Sequence, residues 1–181
     1  MDRIIFVNGE KVSLVIPEKQ DIDIMYKGIN NINILKYLGP IRHQTRESEE
    51  RYLDEKLQKA DKFFLIMINE TKEIIGGVGF NDYSDFSRIG TIGISLYDET
   101  KMGKGYGTES MKLFLKYAFE YIGVHKVKLQ VFKNNQRAIS SYKKSGFKEV
   151  GVFREDVYIM GKYEDSIAME LLKSDYLNPS I

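Results

Sequence analysis

Apolar and polar positions alternate in some stretches of this chain and fall at helical spacing in others, and the switches between the two patterns divide it into elements. Lys11 to Ile16 alternates as a strand does, and Pro17 ends it. Asp21 is placed to cap a short helix whose apolar face is Ile22, Met25, Tyr26 and Ile29. Asn30 to Gln44 has no period and contains Gly39-Pro40, which predicts a loop or broken helix. Thr45 is an N-cap for a charged helix from Arg46 to about Lys59, with Leu53, Leu57 and Ala60 inward and the charge run as its solvated face. Phe63–Ile68 and Glu73–Phe80 are apolar runs separated by Asn69-Glu70-Thr71-Lys72, a hairpin signal. Asn81 to Ser87 reads as a turn, and Arg88 to Tyr97 as the next strand.

Gly105 to Ile122 places Met111, Phe114, Leu115, Ala118, Phe119 and Ile122 on one helical stripe. Val127, Leu129 and Val131 alternate with Lys126, Lys128 and Gln130 as a strand. Asn135 to Lys144 is a short helix stopped by Ser145-Gly146. Phe147–Ile159 and Glu164–Leu172 are strands joined around Met160-Gly161-Lys162. Antiparallel strands come first and a strand–helix–strand–helix unit follows, so the pattern predicts a mixed α+β fold.

Composition narrows the chemistry. At 181 residues, 43% hydrophobic and 29% charged, the chain suits one soluble domain, expected to span residues 1–181. A net charge of +1 argues against a nucleic-acid binder. Cysteine is absent, which removes thiol nucleophiles, disulfides and thiolate metal sites, and the two histidines, His43 and His125, are too few for a metal centre. No run reaches the ~18 apolar residues that a membrane span needs. The first residues have no basic region followed by a long apolar core, so a cytoplasmic protein is expected.

The densest chemical signal is Met102-Gly103-Lys104-Gly105-Tyr106-Gly107-Thr108, between a strand and a helix. Three glycines in five residues let the backbone turn tightly and approach a ligand. The helix start presents unpaired N–H groups and the positive end of its dipole, together an anion site. The spacing fails the P-loop pattern, because Gly103-Lys104 is followed by Gly105, and the dinucleotide pattern, because Thr108 stands where a third glycine is needed. A tight connection with no ligand is the plain alternative.

A second segment lies about thirty residues on: Asn135, Ala138 and Tyr142, then Gly146-Phe147. Taken with Met102 to Gly107, it resembles the GNAT superfamily of acyl-CoA-dependent N-acyltransferases. That family pairs an Arg/Gln-x-x-Gly-x-Gly/Ala turn with a later Asn-x-x-Ala-x-x-x-Tyr helix. The tail Gly161-Lys162-Tyr163-x-Asp165, then Met169-Glu170-Leu171-Leu172, is similar to the RimJ/RimL-type branch, which acetylates protein N-termini and small amines. The resemblance implies a central, mostly antiparallel sheet of about seven strands, splayed in the middle and flanked by about four helices.

It also implies roles. Gly103, Lys104, Gly105, Gly107 and Thr108 would hold the CoA pyrophosphate, with Met102 where the family has Arg or Gln. Ile94 and Leu96 would bond the pantetheine arm, the Leu96 N–H would stabilise the oxyanion, and Asn135 would bond the arm while capping its helix. Tyr142 would protonate the departing thiolate. Thr91 stands where relatives carry a basic Glu and could only orient a water; Asp82, Asp85, Glu109 and His43 are alternatives as base, and His125 more plausibly starts a strand or caps a helix end. Gly28–Gln44 and the Tyr158–Tyr163 hairpin would form the acceptor pocket. The expected activity is direct acetyl transfer from acetyl-CoA to a primary amine, a protein N-terminus or a small amine or polyamine, without a metal, by a monomer or homodimer free of nucleic acid and membrane. An acyl-CoA-binding or sensing module with little turnover is the rival.

Overall fold

The computed structural model describes residues 3–39, 41–58 and 62–178. Their strands form one eight-stranded sheet in the order β1-β2-β3-β4-β5-β6-β8-β7. The strands are β1 (Ile5–Asn8), β2 (Val12–Val15), β3 (Phe63–Ile68), β4 (Ile74–Ser84), β5 (Ile89–Leu96), β6 (Lys126–Phe132), β7 (Lys148–Ile159) and β8 (Lys162–Leu172). The helices are α1 (Ile22–Ile29), α2 (Ile32–Leu35), α3 (Arg46–Gln58), α4 (Tyr106–Lys116), α5 (Gln136–Lys144) and α6 (Lys173–Leu177). Every strand pair is antiparallel except β5–β6. That parallel pair is joined by α4, the crossover a parallel connection requires.

The predicted mixed architecture holds, with eight strands in place of about seven and six helices in place of about four. The extra strand, β1, is mostly exposed along its length, so it carries no clear buried stripe. Helix α2 is a single turn inside the segment predicted irregular, capped by the Asn31 side chain. Asn81 to Ser84 is strand, contrary to the turn expected there: a register shift between Phe80 and Asp82 absorbs Asn81, and Asp82, Tyr83 and Ser84 then pair with Thr91, Gly90 and Ile89. The α4 stripe runs past Lys116 into a π-helical turn, Tyr117–Ile122, ended by Gly123 at φ 75°. Lys59, Ala60 and Pro40, named in the sequence reading, lie outside the described residues.

Every residue of β3 is buried, as a continuous apolar strand covered on both faces should be. Phe64 and Ile66 pack with Met111 and Phe114 of α4 on one face; Phe63, Leu65 and Met67 pack with Met25 of α1 and Leu53 of α3 on the other. Fully burying a side chain such as Phe114 contributes ~1.5–3 kcal/mol, so the two clusters fix which helices lie on which face.

The feature that makes a site is in the middle of the sheet. β5 and β6 pair only through Ile89–Lys126, Gly90–Val127 and Thr91–Lys128. Beyond Thr91 the strands diverge, and the gap becomes a slot.

Candidate active site

The slot opens into a cavity of about 1320 Å³ that runs from the glycine turn, past the ends of β5 and β6, to the segments from α1 to α3. The turn forms its first wall. Gly103 and Gly105 have φ of 76° and 89°, conformations that L side chains rarely adopt. Gly105 is the N-cap of α4, and the first intrahelical bond runs from the Glu109 N–H to the Gly105 carbonyl, 3.0 Å. The N–H groups of Tyr106, Gly107 and Thr108 therefore precede the helical ladder and have no carbonyl four residues back. Met102, Gly103, Gly105, Gly107 and Thr108 line the cavity; Lys104 is exposed and outside the lining. Thr108 Oγ1 lies 2.7 Å from Ser141 Oγ, tying the start of α4 to α5.

The second wall is β5. The Tyr97 N–H bonds the Ile75 carbonyl at 2.8 Å, and Leu96 stands opposite Gly76. Antiparallel ladders alternate bonded and non-bonded pairs, so Leu96, Ile94 and Ile92 turn their N–H and C=O groups away from β4. That direction is the gap left by β6. Ile94 and Leu96 thus offer main-chain groups to anything seated in the slot, while their side chains pack on the α4 core.

The third wall is α5. Asn135 caps it, its side-chain oxygen accepting from the Ala138 N–H at 3.2 Å. Asn135 is 8% exposed and lines the cavity. Tyr142 also lines the cavity, with its ring set edge-on to Phe147, centroids 5.9 Å apart. Burial pushes the Tyr142 phenol up to about 12, so it holds its proton at neutral pH. Arg137, one turn before Tyr142, sits over the Tyr37 ring at 5.2 Å and connects α5 to the segment after α2.

The far end is built differently. Gly77, Gly79 and Gly93 carry no side chain, and with Ser95 they pair across the strands, Gly79 with Gly93 and Gly77 with Ser95. They make a glycine-rich stretch of cavity wall against which Phe63 and Asn81 pack closely. A Cβ on Gly77 would fall 2.8 Å from the Phe63 ring, and one on Gly93 2.7 Å from the Asn81 amide. Gln44, Ser48, Glu49 and Tyr52 line the cavity from α3 and the segment before it, and Ile29, Ile34, Tyr37 and Leu38 from α1, α2 and the turn after α2. Thr91, partly buried, lies on the same face of β5 as Gly93 and Ser95.

One expectation for this end does not hold, and the other named candidates lie outside the cavity. The Tyr158–Tyr163 hairpin is absent from the lining; β7 contributes Val150, Phe153, Asp156 and Val157 instead. Asp82 and Asp85 are exposed outside the cavity, with Asp85 4.0 Å from Lys62. Glu109 accepts the N–H groups of Glu10 and Lys11, at 2.6 and 3.0 Å, and so anchors the β1–β2 turn. His43 is exposed and outside the lining. His125 is exposed at the start of β6, where its N–H bonds the Arg88 carbonyl at 2.8 Å.

Glu49 is the residue the sequence reading passed over as part of a solvated charge run. It is 7% exposed. Its position four residues before the buried Leu53 places it on the inward stripe of α3, and that spacing was the available signal. Burial pushes its carboxyl up from the ordinary range. Tyr52 is pushed up to about 12 by burial, then by Glu49 and Glu55; Tyr97 is raised by burial, then by Tyr52, Glu49 and Asp21.

Residues 11–148 match the family model described as an acetyltransferase (GNAT) domain. A spermidine N(1)-acetyltransferase from Vibrio cholerae serotype O1 is 30% identical over 164 residues, covering 90% of this chain and 94% of that protein. The crystal structure of spermidine N-acetyltransferase from Vibrio cholerae in complex with CoA and spermine superposes with a TM-score of 0.85 at 26% identity, covering 94% of this chain and 100% of the other. A ribosomal-protein-S5-alanine acetyltransferase from Vibrio fischeri has the same fold, with a TM-score of 0.81 at 21% identity over 96% of this chain and 98% of the other. The chain belongs to the GNAT acetyltransferases, enzymes that take their acetyl group from acetyl-CoA.

Proposed function

We propose that this enzyme acetylates a primary amine of an aliphatic polyamine by direct attack on acetyl-CoA. The observation that carries the reading is the slot where β5 parts from β6, with glycine-turn amides at one end, Tyr142 along its side and a glycine-rich wall beyond. In this reading the N–H groups at the start of α4 receive the pyrophosphate. Ile94 and Leu96 hold the extended arm as an added strand would be held. The Leu96 N–H donates to the thioester oxygen as negative charge builds there. Asn135 offers its amide N–H to the arm while its oxygen stays on Ala138. Met102 contributes through its place in the turn, and Thr91 orients a water. Lys104, exposed, adds at most a point charge at the rim.

The amine forms the C–N bond as the C–S bond breaks, and Tyr142 gives its proton to the leaving sulfur. An ordinary thiol titrates at about 8.5, below this phenol, but the same dry slot disfavours the thiolate as it disfavours the phenolate. No acyl-enzyme is needed. Holding the two reactants together supplies much of the acceleration.

An aliphatic polyamine is favoured over a protein N-terminus by the 30%-identical spermidine acetyltransferase and by the inward Glu49 carboxyl in the cavity wall, which suits a cationic chain. Thiol release from acetyl-CoA, measured with spermidine, spermine, a short monoamine and an alanine-initiated peptide, tests this. Polyamines are expected to give the largest kcat/KM; an N-terminal peptide exceeding them overturns the acceptor assignment.

A further inference from the structure

The proposed transfer needs a group that takes the proton of an arriving ammonium. Thr91 cannot, because a hydroxyl is no base at neutral pH. Three carboxylates line the cavity: Glu49, Asp156 and Glu170. Asp156 accepts the Ser166 hydroxyl, and Glu170 is paired with Lys126 at 3.1 Å. Asp21, equally buried nearby, is answered by Arg3. Glu49 has no hydrogen bond or ion pair with any described residue. The Ser95 hydroxyl, lining the same cavity, is also buried without a partner. A carboxylate on a largely buried residue with no cation beside it is costly unless it is protonated or meets one, so Glu49 is placed to receive a cationic ligand that enters the cavity.

We propose that Glu49 is the proton acceptor for the cationic acceptor amine, an assignment that rests on the amine-acetylating reading above. The ammonium gives a proton to the Glu49 carboxylate, leaving a neutral amine and a carboxylic acid. The amine lone pair forms the C–N bond, the C–S bond breaks, and the thiolate takes the Tyr142 proton. The surplus N–H proton of the new amide passes to the Tyr142 phenolate, and Glu49 returns its proton to solvent as product leaves; one proton is released per turnover. The Ser95 hydroxyl accepts from the same amine and aims it. The titratable and charged groups around Glu49 are Tyr52 on its own helix, Tyr97 at the end of β5, Asp21 beyond Tyr97, and Lys56, which lies over the Tyr52 ring at 5.1 Å. The tyrosines are held neutral by burial.

The test compares wild type, E49Q and E49D with spermidine and acetyl-CoA between pH 6.5 and 9.5, with CoA affinity measured by calorimetry. E49Q is expected to lose about 100-fold in kcat/KM near pH 7, the scale of a missing general base. The gap should narrow to within about tenfold at pH 9.5, because the amine, with a pKa of about 10, then arrives increasingly deprotonated. E49D should keep an intermediate rate, and CoA affinity should match wild type in all three. E49Q at the wild-type rate near pH 7 overturns the assignment and leaves polyamine acetylation standing, as does a loss of equal size at every pH. A wild type that binds CoA and acetylates no amine overturns the underlying reading, and this one with it.

Discussion

The two ends of the cavity are made of different material. At the proposed CoA end the groups on offer are almost all main chain: the amides after Gly105 and the outward-turned N–H groups of Ile94 and Leu96. At the proposed acceptor end they are side chains, Glu49, Tyr52, Tyr97 and Ser95, beside a glycine-rich stretch of β4 and β5. Main-chain donors are fixed by the fold and suit a ligand that never changes. Side chains can be exchanged without disturbing the sheet and suit a ligand that differs from one relative to the next.

Substitutions that injure one end and spare the other sharpen that contrast. Tyr142→Phe, where the ends meet, should have the largest effect: kcat falls by about 100-fold or more, with CoA affinity unchanged, in steady-state rates and calorimetry. Gly93→Val forces a branched side chain against the Asn81 amide and shifts that amide within the cavity wall; KM for spermidine should rise more than about tenfold, on the scale of a few kcal/mol for overpacking, while CoA affinity stays within twofold of wild type by calorimetry, roughly the scatter of independent sites. Gly105→Val does the reverse. Forcing a β-branched residue to φ 89° costs about 1–2 kcal/mol, so CoA binding should weaken by about tenfold, with the ranking of amines preserved. An equal loss at both ends from either glycine change would erase the distinction.

The smallest expected effect concerns stability. Glu49 has its carboxyl raised in the folded state, so the fold binds more protons than the unfolded chain between the ordinary carboxylate range and the raised value. Stability is then lost as pH rises through that window, and is unaffected below it. E49Q should therefore melt slightly higher than wild type at pH 7 and equal to it near pH 4, in thermal scans across pH. A variant that melts lower at pH 7 would show that the carboxylate is satisfied in the fold.

The same division decides what the sequence disclosed. The backbone of the proposed CoA end was legible because such a turn must be written in residues that permit it: Gly103 and Gly105 at positive φ, Asn135 as cap, and the strand-to-helix order around them. The acceptor end was not. Gly77, Gly79 and Gly93 fall inside stretches that read simply as strands, because their common face depends on the β4–β5 register and on the irregularity at Asn81. Glu49 was hidden among Glu47, Glu50 and Glu55 of a helix whose polar residues outnumber its apolar ones. The β1 strand was missed because its side chains are mostly exposed, and the Tyr158–Tyr163 hairpin was credited with a lining that the body of β7 supplies. In each case what was missing was a contact between distant segments, which local periodicity does not record.

The bond between Thr108 and Ser141 has a mechanical meaning. Ser141 is the neighbour of Tyr142, so one hydroxyl pair makes the proposed anion cradle and the proposed acid parts of a single jaw. The reach from diphosphate to proton donor is thereby set like the gauge of a track, matched to one length of carrier. An enzyme of this build that adapts to a bulkier acyl cargo must yield elsewhere in the cavity wall and leave this jaw alone.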